Sequence, residues 1–353
     1  MRTPMDAEAI TSWLQHITAV PGYSGYEQRV AACIREAFLS FTDQVETDAF
    51  FNVYATMQGD QEGPTVLICA HMDEIGMMVS DIDEEGFVRF HQRGVDPRIL
   101  PACPVIIQGK RPVKGVVTCL PPHLLAAGDA DQAYDQDEMR IAIGLDQQTA
   151  QQIISVGDII TFDAPPVRLM GNRMAGKTLD DRAGVAMMLA AMRELKGRKF
   201  AGKVVFCATV QEEIGLKGGA LSSGRVKPDW GIAIDVCHGD TPDAPSEDTC
   251  SLDKVAVAVG PNLHPTLTKG VLQVAERNHI PVEIEVANSP TGTDANAMQV
   301  AGEGIPVALI SLPLRYMHTT VETINLDTLF EGGRLLALSA AELSEDWRQW
   351  VCF

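Results

Sequence analysis

The stretch VLICAHMDE, residues 66–74, joins five apolar residues directly to His71, Asp73 and Glu74. A run that is apolar at every position does not suit a strand with one wet face. Residues 65–71 therefore read as a central strand covered by helices on both sides. Polar side chains placed where such a strand finishes stand at the carboxyl edge of the sheet, where open α/β sheets gather their functional groups. In extended geometry His71 and Asp73 share one face, so Asp73 can hold the imidazole in one tautomer and orientation. Glu74 reads as a solvated or supporting neighbour.

Working outward, further segments carry the same residue types. TLDDRAG places Asp180 and Asp181 before the apolar run 183–192, which reads as a buried helix with an acidic start. QEEIG places Glu212 and Glu213 after the apolar VVFCATV, AIDV places Asp235 at the end of another apolar run, and RYMHT places His318 beside a basic and an aromatic residue. Adjacent acids at the end of a buried strand are costly unless one is neutralised by metal while the other moves protons; spacing alone does not say which is which. Carboxylates and imidazoles without a thiolate suit Zn, Co or Mn as a hydrolytic centre. Two neutral histidines with Asp180, Glu213 and Asp235 carry a formal charge of about −3, which two divalent cations and one hydroxide bring near neutrality. Asp180, opening its helix, is the candidate bridge. Asp181 supports the site, and Arg182 fits an exposed first turn.

At the amino-terminal end, two amphipathic helices over 7–20 and 26–41 are separated by PGYSG, whose Ser24 is placed to start the second helix. Residues 52–58 have strand composition. From Gly76 to about Phe162 the pattern changes to short alternating runs such as FVRFHQRG, PVIIQGK and VKGVVTCL, punctuated by Gly and Pro, with no helix before about Gln147. Within it, the acidic stretch 126–138 reads as a mobile loop. After Arg168 strands and helices alternate to the end. The expectation is an α/β fold: a mixed, mostly parallel sheet flanked by helices on both faces, formed by 1–73 and 164–353, with a small β-barrel inserted over 74–163.

The length of 353 residues suits about two domains. A formal net charge of −19 opposes binding to nucleic acid or anionic membrane, since both require Lys and Arg to neutralise phosphate. No apolar run of about 18 residues and no basic start followed by an apolar core stands in the sequence, so a soluble, cytoplasmic protein is expected. The eight cysteines form no CxxC pair, and Cys69 and Cys207 lie in apolar strands, as buried reduced thiols do. His16, His91, His264 and His279 have no neighbouring acids or cysteines and read as ordinary histidines. Cys237, His238 and His123 are candidates for lining a pocket.

Taken in order, HMDEIG, LDDRAG, QEEIG, AIDV and PLRYMHT resemble the tetrahedral aminopeptidases, a family of dinuclear metallopeptidases that includes glutamyl and deblocking aminopeptidases. GVDPRIL, LPPHLL, VGD and TGTDA are similar to further family segments. The resemblance implies that His71, Asp180 and Asp235 hold one metal, that Asp180, Glu213 and His318 hold the other, and that Glu212 is the general base. It also implies a cis peptide between Asp180 and Asp181, and assembly into hollow tetrahedra through the inserted domain. The chain departs from the family at IGLDQQTA and at Cys237. The expected reaction is removal of N-terminal residues from short peptides, a water acidified by two divalent cations (Zn or Co, with Mn possible) giving its proton to Glu212 and thence to the leaving amine. Arg315 and Asp294 are the candidate substrate-pocket residues. The rival readings are a deacylase on the same dinuclear core and a non-catalytic metal-binding peptide scaffold; glycan hydrolysis is weaker, because acids held by metal cannot serve as a glycosidase pair.

Overall fold

A computed structural model describes residues 4–121, 124, 134, 136–242 and 244–351. His123, residues 126–133 and residue 135, which include most of the stretch expected to be a mobile loop, lie outside the described residues. The chain divides into two compact units, one from residues 1–74, 166–317 and 322–353, the other from Ile75–Pro165 with His318–Val321.

The first unit is built on an eight-stranded mixed sheet. Its spatial order is Val45–Thr47, Val53–Gln58, Ala201–Thr209, Gln61–His71, Trp230–His238, Val307–Leu314, Val255–Val259 and Val282–Val286. The strand ending at His71 lies between two parallel neighbours, and a third parallel pair joins Trp230–His238 to Val307–Leu314. Side chains along a strand alternate between faces, and the cores follow that period. Val66, Ile68 and Ala70 join the larger cluster, with residues of the helices Ala7–Ile17, Gln28–Phe38, Leu179–Leu195, Pro265–Arg277 and Leu326–Glu345. Leu67 and Cys69 enter a second cluster that contains Ala295 and Met298 of the helix Asp294–Gln299. The fully apolar run is thus explained by burial on both faces.

The two amino-terminal helices are shorter than the periodicity suggests, and Ser24 does not start the second one. Glu27 occupies that cap position, without a capping hydrogen bond from its side chain. The helix Leu179–Leu195 is buried along most of its length, because the helix Leu326–Glu345 packs on it closely enough that a Cβ at Gly333 would lie 2.5 Å from Ala190 Cβ.

The second unit is a closed barrel in the order Gly76–Ile82, Val88–Arg93, Arg140–Ala142, Pro112–Thr118, Pro104–Gln108 and Ile159–Phe162, with the last strand pairing back to the first. Alternate residues, among them Met77, Val79, Val88, Phe90, Val105, Ile107 and Ile160, fill its interior. A helix, Gln147–Ile153, begins where the alternation fades, capped by the Asp146 carboxylate on the Thr149 N–H. Among the described residues no helix is long and apolar enough to cross a membrane.

Candidate metal centre and active site

Strand register brings the acids together. His71 pairs with Thr209 at the end of the neighbouring parallel strand, so the loop that follows, Gln211–Glu213, starts beside the imidazole. Asp235 stands near the end of the next strand, level with Ser311. The Asp180–Asp181 peptide is cis, and both residues have non-helical backbone angles at the start of their helix. Glu322 anchors this entry, its Oε2 accepting the N–H groups of Leu179 at 2.7 Å and Asp180 at 3.1 Å.

His71 Nε2 lies 3.0 Å from Asp180 Oδ1. Ligand atoms of His71, Asp180 and Glu213 lie within 4.8 Å of one another, and so do those of His71, Asp181 and Asp235. Two sets of donors therefore share one imidazole, and Asp181, read from the sequence as supporting the site, stands beside Asp235 and His71 in the second. His71 Nδ1 and Asp181 Oδ2 are buried polar atoms with no hydrogen-bond partner among the described residues. Such orphans are expensive in a closed site unless something else receives them.

The electrostatics agree. Burial, opposed by His71 and reinforced by Asp235, Asp294 and Glu213, pushes the Glu212 carboxyl up to about 10. Burial and neighbouring acids also drive Asp181 and Asp235 well above the ordinary carboxylate range. His71 is moved upward despite its burial, because Asp180 accepts a hydrogen bond from it and the charges of Asp73 and further carboxylates surround it. Acids that cannot all ionise beside one another, arranged around an imidazole, fit a divalent cation, whose charge reverses the local preference. The all-oxygen-and-nitrogen donor set suits a hydrolytic metal.

Asp73 and Glu74 are both buried and point to different partners. Asp73 Oδ1 lies 3.5 Å from His71 Nδ1, and the carboxylate accepts the Glu212 N–H at 3.0 Å, the Glu213 N–H at 3.3 Å and the Ser24 hydroxyl at 2.6 Å. Although burial opposes it, His71 and these donors hold the Asp73 carboxyl below its usual range. Glu74 is neither solvated nor at the edge. It accepts from Lys177, from Thr178 Oγ1 at 3.0 Å, from the Gly22 N–H at 2.8 Å and from Arg182 Nη2 at 3.3 Å. Arg182 likewise departs from its expected exposed turn. It is fully buried, and donates to the carbonyls of Ile17, Val20 and Met72.

The remaining candidates have structural partners. Asp294 is 1% exposed and accepts from Thr209 Oγ1 at 2.6 Å and from the Gly219 N–H at 3.1 Å, so its oxygens tie the helices Lys217–Val226 and Asp294–Gln299 to the strand end. Arg315 donates to the Asp240 carbonyl and, at 3.0 Å, to its carboxylate. His318 lies in the short segment grouped with the barrel unit.

The family model described as M42 glutamyl aminopeptidase matches residues 52–335. The chain belongs to the M42 aminopeptidase family. A lysyl aminopeptidase of Pyrococcus furiosus is 36% identical over 318 residues, covering 88% of this chain and 90% of the relative. Among solved structures, an aminopeptidase from the archaeon Desulfurococcus kamchatkensis superposes with a TM-score of 0.91 at 31% identity, covering 98% of each chain. The TET1 peptidase of Pyrococcus horikoshii, described as assembling into a tetrahedron or a large octahedral shell, superposes at 0.81 with 30% identity, covering 95% of this chain and 100% of that one. The tetrahedral aminopeptidase resemblance read from five ordered motifs is thereby upheld. As an M42 peptidase the chain is an aminopeptidase, a hydrolase in a family of metallopeptidases.

The sequence motifs do not point to Lys177, Glu322 or Glu27, and they place Ser24 only as a helix start. A lysine directly before TLDD is the one local signal for Lys177, whereas Glu322 lies far along the sequence from the backbone it holds. The buried Glu74 network yields a direct prediction. Glu74→Ala leaves two buried cations without their carboxylate and is expected to lower the unfolding free energy by about 3–5 kcal/mol, read as a fall in the denaturant midpoint; an unchanged midpoint contradicts the network.

Proposed function

We propose that this M42 aminopeptidase cleaves N-terminal residues from short peptides using two divalent cations, Zn or Co being preferred and Mn acceptable. The observation that carries the reading is the convergence on His71 of two donor sets, His71, Asp180 and Glu213 and His71, Asp181 and Asp235, all buried except the half-buried Glu213. The ligand set implied by the resemblance, His71, Asp180, Glu213, Asp235 and His318, overlaps both; these residues would hold the cations, Asp180 being common to the two implied sites and His318 entering on the resemblance alone. When bound, the cations supply a lowered water pKa and polarisation of the scissile carbonyl.

The chain's own groups do the rest. Glu212 accepts the water proton and returns it to the leaving amine. Asp73 orients the His71 ring and holds the Glu212 and Glu213 N–H groups, so imidazole and base are set from one carboxylate. A protonated N-terminal amine is drawn to this acid-rich end of the sheet. The deacylase rival requires no such amine. The barrel unit is proposed as the element that drives assembly into a large, tetrahedral homo-oligomer, a reading supported by the TET1 peptidase's described shells. Free Cys33, Cys69 and Cys207 accord with a reducing, cytoplasmic setting.

Glu212→Gln is expected to keep its metal, by elemental analysis, while kcat falls about 10²- to 10⁴-fold; Asp180→Ala should lose metal outright. Metal loss in the first variant, or full metallation with activity in the second, would reassign these roles. On paired substrates, a free-amine dipeptide should be hydrolysed and its N-acetylated form left intact, whereas cleavage of the acetylated form favours the deacylase. Replacing 75–165 by a short linker should reduce the particle size in chromatography, and an unchanged large particle refutes the assembly role.

A further inference from the structure

The segment PGYSGYE, residues 21–27, interrupts two helices, and the side chain of Glu27, at the cap position of the second, makes no capping hydrogen bond. Ser24 Oγ donates to Asp73 Oδ2 at 2.6 Å. Glu27 is fully buried, and its Oε1 accepts the Gly25 N–H at 2.7 Å and the Gln211 N–H at 3.2 Å. Its other oxygen, Oε2, has no hydrogen-bond partner among the described residues. Burial raises this carboxyl to about 7, with Asp73 adding to the effect against the hydrogen bonds it accepts. A buried acid whose side chain caps nothing and pairs with no cation among the described residues is a poor device for stabilising a helix.

What Glu27 does hold is the start of the base-bearing loop. Three successive N–H groups are received by two carboxylates: Gln211 by Glu27, Glu212 by Asp73 Oδ1 and Glu213 by Asp73 Oδ2. Gln211 has a φ of 55°, the left-handed region that a residue with a side chain occupies only when its surroundings impose it. Rotation at this residue swings Glu212 and Glu213 together. We infer that Ser24 and Glu27 form a clasp that positions the Gln211–Glu213 loop, Glu27 through the Gln211 N–H and Ser24 through Asp73. They are positioning residues, and the catalytic consequence rests on reading Glu212 as the proton acceptor. Displacement of a reacting group by about 1 Å costs on the order of 100-fold in rate, so the clasp acts on kcat rather than on substrate affinity.

The test compares Glu27→Met, which fills the space without an acceptor, with Glu27→Gln, whose carbonyl still accepts both N–H groups. It is run on the full metallated chain with the best substrate of an aminoacyl-anilide panel. Glu27→Met should lower kcat about 10- to 100-fold, with KM within about twofold and metal content unchanged, while Glu27→Gln stays within about threefold of the parent. Amide exchange over 210–214 should quicken in the Met variant and not in the Gln variant. Parent-like kcat in Glu27→Met, equal damage in both variants, or a loss that merely tracks metal content overturns the clasp. Should Glu27→Met fail to fold, Ser24→Ala serves: lowered kcat with faster exchange at Glu212 and Glu213 supports the proposal, and parent-like values for both overturn it. If Glu212→Gln proves active, the base assignment falls, while the exchange comparison still decides the clasp.

Discussion

An ionised carboxylate taken out of water costs several kcal/mol unless hydrogen bonds or a cation receive it, and this chain buries Asp73, Glu74, Asp180, Asp181, Glu212, Asp235 and Asp294. The fold answers that cost in two ways. Asp73, Glu74 and Asp294 are given donors by the protein itself: backbone N–H groups, hydroxyls and, for Glu74, Lys177 and Arg182. Asp181, Asp235 and Glu212 are instead left crowded, with carboxyls driven upward by burial and by one another. The first group builds the frame. The second supplies a place where positive charge is missing, which is the chemistry a metallopeptidase requires.

The division between the two groups runs through adjacent residues. Asp73 and Glu74 follow the same strand, yet Asp73 turns to His71 and the Gln211–Glu213 loop while Glu74 turns to Lys177 and Arg182 at the start of the Asp180 helix. One strand end therefore braces two of the segments that carry the proposed ligands. Glu322 braces the Asp180 segment from a third direction through the backbone of Leu179 and Asp180. Side chains held by several partners at once lose little further freedom when substrate arrives, and this is the physical content of a pre-organised site.

The sheet decides where all this happens. Parallel neighbours end on the same side, so His71, the loop after Thr209 and Asp235 gather at one edge without any long excursion of the chain. Burial on both faces keeps that edge rigid, because Val66, Ile68 and Ala70 pack into one core and Leu67 and Cys69 into another.

The sequence by itself determined the α/β class, the two-sided burial of the strand at 65–71, the small barrel, the family and the acids gathered at strand ends. These follow from local periodicity and from which residue types end each apolar run. Only the tertiary structure decided that Arg182 is buried, that Glu74 is the centre of an ion network, that Asp294 accepts from Thr209 and Gly219, and that Ser24 reaches a carboxylate instead of starting a helix. The reason lies in range. A hydrophobic period is written within one element, but the partner of a buried charge stands 49 residues away for Ser24 and Asp73 and 103 for Lys177 and Glu74. Nothing in the intervening sequence announces that meeting, which the packing of the completed fold alone brings about.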